Sequence, residues 1–178
     1  MKTARFGLAA GLGLIVALAA APGLGAQQRL SPADSSELEL AGRQIKVAFS
    51  SPSVRDRVIF GGLVPWQRVW RTGANEATSL STEANLRIGD AEVPAGDYTL
   101  YTIPGPDEWT LIVSRQTGQW GTEYHLDMDL ARVEMEVEEL EEPVESFRIV
   151  LYPRGPDEGT LLLEWANTRA SVPFEVLR

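Results

Sequence analysis

Cysteine is absent from the 178-residue chain, and histidine occurs only once. Without cysteine the protein has no disulfide bond, no thiolate metal site, no iron–sulfur cluster, no cysteine nucleophile and no lipid-modified N-terminal cysteine. A single histidine excludes a metal centre built from several imidazoles. Because 44% of the residues are hydrophobic, an ordinary share for a globular protein, we expect core packing to stabilise a single domain.

Motifs of common enzyme classes are also lacking. The chain contains no G-x-S-x-G elbow of a serine hydrolase, no H-E-x-x-H zinc motif and no phosphate-binding P-loop. The sequence therefore indicates no cofactor and no particular reaction. It favours a non-catalytic binding or accessory module over an enzyme.

Basic residues are scarce and unevenly placed. The chain has 16 lysines and arginines against 25 acidic residues, a formal charge of −9, which argues against nucleic acid and anionic membrane surfaces as partners. Residues 43–71 nevertheless contain six basic side chains and one acidic one, Asp56, whereas residues 123–145 contain ten acidic side chains and one basic one, Arg132. This asymmetry either steers an anionic ligand to the first region or leaves two regions that are solvated or face each other.

The long hydrophobic run of the chain lies at its N-terminus. Lys2 and Arg5 precede an apolar stretch over residues 6–21, and small residues follow up to Ala26. This layout predicts a secretory signal peptide over residues 1–26, cleaved after Ala26, because the stretch is shorter than the roughly 20 apolar residues of a membrane span. A retained anchor is the alternative. We expect the mature chain to be extracytoplasmic, periplasmic or secreted, without a membrane span; it has 14 basic and 25 acidic residues and therefore a formal charge of −11.

Short runs of alternating polar and apolar residues dominate the rest of the chain. A polar linker is predicted over residues 27–36 and one domain over residues 37–178. Strands are predicted over residues 37–40, 44–49, 77–81, 85–88, 91–93, 97–103, 109–114, 130–137, 144–152, 160–165 and 171–176. Many short strands at this spacing, separated by turn residues, predict an all-β fold: a single antiparallel β-sandwich or a partly closed barrel.

One short helix is predicted between Pro65 and Gly73. Proline suits the first position of a helix, and glycine suits the position just after its C-terminal end. Trp66, Val69 and Trp70 fall at positions i, i+3 and i+4, on one face of such a helix. Such a helix would place both tryptophans over an open end of the sandwich.

Two irregularities within the strands are also predicted. Gly89 and Asp90 separate two short alternating runs and predict a hairpin with a type II′ turn. Apolar residues occupy the even positions up to Leu130 and the odd positions from Ala131 onward, so the alternation changes phase there. A β-bulge at this point would reconcile the two phases, and the carboxylates beyond it are expected on a solvated face.

One run of residues is specific enough to suggest a family. Residues 70–76 read W-R-T-G-A-N-E, and further shared runs lie at residues 60–66, 94–100, 103–104, 120–121, 142–145 and 172–173. Together they resemble the bacterial domain-of-unknown-function family 2911 over essentially the whole mature chain. The resemblance implies an exported β-protein with no established activity. Asp56 stands where members of that family often have glycine.

The same run supplies the candidate ligand site. Arginine offers a planar fork for a carboxylate, sulfate or phosphate, asparagine offers a donor and an acceptor, and tryptophan stacks on a sugar ring. A small anionic or saccharide-like ligand is therefore predicted to bind at six residues: Trp66, Trp70, Arg71, Thr72, Asn75 and Glu76. The structural alternative is an ion pair between Arg71 and Glu76 that pins the loop.

Other interpretations of function remain open. His125, Asp127 and Asp129 alternate along the chain, but the glycine of a calcium-binding loop is missing from this stretch, so no metal site is predicted. The many glutamates leave a hydrolase acting on an envelope saccharide or anionic substrate as one alternative. A structural domain that binds another protein by an exposed sheet edge is the other.

Overall fold

The computed structural model describes residues 30–178, so the predicted signal peptide and the start of the predicted linker lie outside the described residues. Its strands are β1 (Ala33–Leu40), β2 (Arg43–Ser50), β3 (Thr78–Thr82), β4 (Leu86–Ile88), β5 (Ala91–Val93), β6 (Gly96–Pro104), β7 (Trp109–Ser114), β8 (Asp129–Pro153) and β9 (Glu158–Val176). Within residues 30–178 the only helical element is the 3-10 turn Leu126–Met128. The all-β prediction is confirmed, and β1 begins inside the predicted linker.

The nine strands form one antiparallel sheet that folds over on itself. Their order is β1-β2-β3-β6-β7-β8-β9-β4-β5. The long strand β8 pairs with β7 between Asp129 and Met135 and with β9 from Glu136 onward, so it belongs to both halves of the sheet. The result is the predicted sandwich, with β1 and β5 at the two free edges rather than a closed barrel.

The hydrophobic core lies between the two halves of the sheet. Ile45, Leu80 and Leu100 come from β2, β3 and β6 in the first half. They surround the same small void as Leu86 of β4 and Leu161 of β9 in the second half. All five side chains are buried, and the removal of this apolar surface from water holds the two halves together.

Both predicted irregularities are present. Gly89 lies in the left-handed region, with φ of +56°, while Asp90 does not, which is the pattern of a type II′ turn. The two neighbours of Leu130 in β8 pair with consecutive residues of β7, Val113 and Ser114, so Leu130 itself has no opposite residue. Leu130 is therefore the bulge that changes the phase of the alternation.

The predicted helix at residues 65–73 is wrong. Trp70 and Thr102 exchange both backbone hydrogen bonds, at 2.7 and 2.9 Å. Gln67 donates its backbone N–H to the carbonyl oxygen of Pro104 at 2.8 Å and has a φ of +57°. A helix requires each N–H to bond the carbonyl four residues back. Because β6 takes these hydrogen bonds instead, the segment runs along the end of β6 and cannot coil.

A cluster of aromatic rings packs beneath this segment. Trp70 stacks on Trp165 with ring centroids 5.8 Å apart and an interplanar angle of 16°. Phe60 meets Trp109 edge to face at 4.7 Å, and Phe147 meets Trp70 in the same way at 5.2 Å. Such large, geometrically matched rings hold the 60–74 segment firmly against the core.

Candidate functional site

A cavity of about 480 Å³ opens beside the aromatic cluster, and we call it the arginine pocket. Its wall includes three arginines, two tryptophans and two tyrosines: Arg55, Arg57, Arg71, Trp70, Trp165, Tyr101 and Tyr124. The described residues that line it include no aspartate or glutamate. A concave site of this volume, with a few convergent polar groups among aromatic rings, has the form of a small-ligand site.

Arg71 is placed in the pocket by the backbone on both sides of it. Trp70, which precedes it, is fixed by pairing with β6. A Cβ atom at Gly121 would lie only 2.8 Å from the carbonyl oxygen of Asn75 and 3.0 Å from the Cβ of Arg71, so glycine is needed where this loop covers the arginine stem. The Nε of Arg71 is buried and has no hydrogen-bond partner.

Arg55 and Arg57 are held in position by neutral carbonyl groups. Arg57 donates from Nε to the carbonyl oxygen of Val54 at 2.9 Å and from its terminal nitrogen to that of Ser53 at 2.6 Å. Arg55 donates to the carbonyl oxygen of Leu30 at 2.8 Å. These contacts orient both guanidinium groups without forming an ion pair, although the carboxylate of Glu145 lies nearby and accepts the backbone N–H of Arg55 at 3.0 Å.

The turn between these arginines has an uncommon backbone conformation. Arg55 and Asp56 both adopt left-handed backbone conformations, with φ of +49° and +56°. Glycine is favoured in this region and aspartate tolerates it better than most residues. Asp56 therefore occupies a position that would also suit glycine.

The pocket is positively charged. Within residues 30–178, none of the ion pairs involves Arg55, Arg57 or Arg71. Three guanidinium groups around one cavity, without a neutralising carboxylate in its wall, attract an anion.

The tyrosines form an uncharged side of the pocket. Tyr101 donates its hydroxyl hydrogen to the carbonyl oxygen of Glu123 at 2.7 Å, and Tyr124 donates to the carboxylate of Asp129 at 2.7 Å. Burial is the main cause that raises the pKa of both hydroxyl groups. Both therefore remain protonated at neutral pH and add no negative charge to oppose an anion.

A comparison with protein families shows the family of the chain. A model described as "Protein of unknown function (DUF2911)" matches residues 31–174, which is more than half of the chain. The chain belongs to the DUF2911 family. The resemblance drawn from residues 70–76 is thus confirmed, and in this DUF2911 protein that run contributes Trp70 and Arg71 to the pocket. No curated protein and no solved structure matches the chain.

The other predicted site residues lie outside the pocket wall. Thr72 is fully buried, and its hydroxyl donates to that of Thr102 at 3.2 Å. Asn75 donates its side-chain amide to the carbonyl oxygen of Ser31 at 3.1 Å, and Glu76 is exposed. The structure thus brings Trp70 and Arg71 together in one cavity and gives Thr72 and Asn75 contacts within the protein.

Trp66 lies in a different cleft. Its ring stacks on Phe60 at 6.1 Å and is 38% exposed. It borders a cavity of about 350 Å³ together with Asp107 and Glu138. The spacing that grouped Trp66 with Trp70 in the sequence therefore leads to two separate surfaces in the DUF2911 protein.

The alternating acidic stretch has structural contacts. Asp129 accepts hydrogen bonds from the hydroxyl of Tyr124 and from Nε of Arg132, the latter at 2.9 Å. In the part of the chain that the structure describes, no three potential metal ligands lie together. The same residues contain no helix long and apolar enough to cross a membrane.

Proposed function

We propose that this DUF2911 protein is an exported, non-catalytic module of the cell envelope that binds a small anionic ligand in the arginine pocket. The observation that carries the proposal is the convergence of Arg55, Arg57 and Arg71 on one cavity without an acidic residue in its described wall. Guanidinium groups recognise carboxylates, sulfates and phosphates through paired, charge-assisted hydrogen bonds. Arg71 contributes one of these groups from a half-buried position in the wall of the pocket.

Binding is favoured over hydrolysis by the composition of the wall. A glycoside hydrolase needs two carboxyl groups about 5–9.5 Å apart at the scissile bond. The described lining residues supply donors and aromatic faces but no carboxyl group. A saccharide-like ligand that carries an anionic group is compatible with the half-buried ring of Trp70 in the pocket wall.

Replacing Arg71 with glutamine is expected to weaken the binding of inorganic phosphate or sulfate by about 10–100-fold, because hydrogen bonds to a charged group contribute about 1.5–3 kcal/mol. The unliganded melting temperature should change little, since no ion pair within residues 30–178 is lost. Isothermal titration and thermal shift at constant ionic strength, with chloride as the reference anion, measure both quantities.

Arg68 provides the matched control for this experiment. It lies close to Arg71 in sequence, but its side chain is exposed and does not line the arginine pocket. Arg68→Gln removes the same charge and should leave anion binding within about twofold, as expected for screened surface charges. Equal losses in the two variants, or no anion response in the wild-type protein, would contradict the proposal.

Export is the second part of the proposal and rests on residues 1–26, which lie outside the described residues. Expression of the full chain in a bacterial host should yield a mature protein that begins at Gln27 and is found outside the cytoplasm. N-terminal sequencing combined with cell fractionation tests this. Recovery of protein that still begins with Met1 would refute signal cleavage after Ala26.

A further inference from the structure

Part of the exposed wall of the arginine pocket is apolar. The described chain exposes eight large hydrophobic side chains, and three of them line this one pocket: Leu30, Leu63 and Val69, which are 73%, 48% and 36% exposed. We call these three residues the apolar rim. Exposed aliphatic side chains gathered around a concave site mark a surface that an apolar group covers in the bound state.

The apolar rim lies beside the charged groups. Leu30 contributes the carbonyl oxygen that receives the hydrogen bond of Arg55. Val69 and Arg71 flank Trp70, whose backbone pairs with Thr102 of β6. In an extended chain, residues two apart have their side chains on the same side, so Val69 and Arg71 face the same way. Deeper in the wall, Trp70 and Trp165 add apolar surface. The pocket thus presents cationic groups and hydrophobic surface to one occupant.

From this arrangement we infer that the ligand is an amphiphilic anion, in which an alkyl chain covers the apolar rim and a carboxylate, sulfate or phosphate head group binds the arginines. The inference rests on the proposed function and specifies its substrate class. A cavity of about 480 Å³ accommodates a chain of medium length beside the head group. The formal charge of −11 expected for the mature chain favours a free amphiphile over a lipid held in an anionic bilayer.

A series of alkyl carboxylates tests the inference with the full mature chain. Affinities for acetate, butanoate, hexanoate and octanoate are measured by titration at constant pH and ionic strength, below the micellar range. We expect affinity to rise about fourfold for each methylene that becomes buried, from the transfer free energy of that group. Octanol has a similar chain without the charge and should bind at least about tenfold more weakly than octanoate.

Two rim variants separate the chain contribution from the head-group contribution. Leu63→Ser should flatten the dependence on chain length and leave the affinity for acetate and inorganic phosphate unchanged. Val58→Ser is the matched control. Val58 is 75% exposed and lies five residues before Leu63 in the chain, but it does not line the pocket. It should keep the full dependence on chain length.

The outcomes distinguish the inference from the function on which it rests. If phosphate and all the carboxylates bind equally well, the amphiphile inference is overturned while the anion site stands. If no anion binds, both are overturned. Sedimentation with vesicles of phosphatidylcholine and phosphatidylglycerol identifies the source of the amphiphile: octanoate binding without vesicle binding supports a free ligand, whereas vesicle binding that requires both Arg71 and Leu63 assigns the site to a bilayer lipid.

Discussion

Replacing Arg148 and Arg169 together with alanine is expected to lower the free energy of unfolding by about 3–5 kcal/mol, the usual cost of leaving a buried charge without its partner. The buried charge is Glu164, whose side chain is 4% exposed. It accepts hydrogen bonds from Nε of Arg148, its cross-strand neighbour on β8, and from Nε of Arg169 at 2.5 Å. Hydrogen bonds to Glu138 and Glu164 raise the pKa of Arg169. The melting temperature should fall by about 6–20 °C.

A third substitution shows that the effect arises from the stranded carboxylate. Adding Glu164→Leu to the double variant removes the unpaired charge and should restore much of the lost stability, because well-packed apolar groups often replace a buried ion pair without net cost. Arg87→Ala serves as the surface control. Arg87 pairs with Glu175, and both side chains are 40% exposed or more, so its loss should cost less than about 1 kcal/mol. Similar losses in the double and triple variants would contradict this account.

Trp165→Ala is expected to destabilise the protein by about 3–5 kcal/mol, as large-to-small changes of buried aromatic residues do. Trp165 is 2% exposed, stacks on Trp70 and contacts Phe60 and Phe147. Its removal leaves a cavity in the aromatic cluster and takes away part of the wall of the arginine pocket. Urea denaturation gives the stability, and anion titration of the folded fraction gives the effect on binding.

Two substitutions calibrate this loss. Trp165→Phe keeps an aromatic ring and removes an indole N–H that is buried without a hydrogen-bond partner, so it should cost less than half as much as the alanine change. Trp66→Ala removes the same side chain from a site that is 38% exposed, and its cost should also be clearly smaller. Equal losses at positions 66 and 165 would show that the aromatic cluster does not dominate the stability of this region.

Local chemistry made much of the fold predictable. The bulge at Leu130 follows from a change of phase in the alternation, because each strand face must keep its own polarity. The turn at Gly89 follows from the backbone conformation that glycine permits. The helix prediction failed because hydrogen bonds from Gln67 and Trp70 go to β6, which is remote in sequence, so side-chain spacing within the segment could not reveal them.

The candidate site was predictable only in part for the same reason. Arg71 was found through its family motif, and Arg55 and Arg57 belong to the basic region that suggested an anionic ligand. Tyr101 and Tyr124 are brought to the pocket by β6 and by the loop before β8. Their contribution depends on tertiary contacts between distant segments, and no local pattern marked them.

Strand β8, which both halves of the sheet share, and its partner β9 also bear on how the protein folds. Since β8 runs through both halves of the sheet, neither half has a complete set of strands of its own. If one half of the sheet unfolds, β8 loses its place in the hydrogen-bond ladder of the other half, which favours cooperative, all-or-none unfolding. The ladder between β8 and β9 closes through a turn of only four residues, 154–157, so it forms at a small loss of chain entropy. The β8–β9 hairpin, which links the two halves of the sheet, is thus also the part best suited to form first and to nucleate folding.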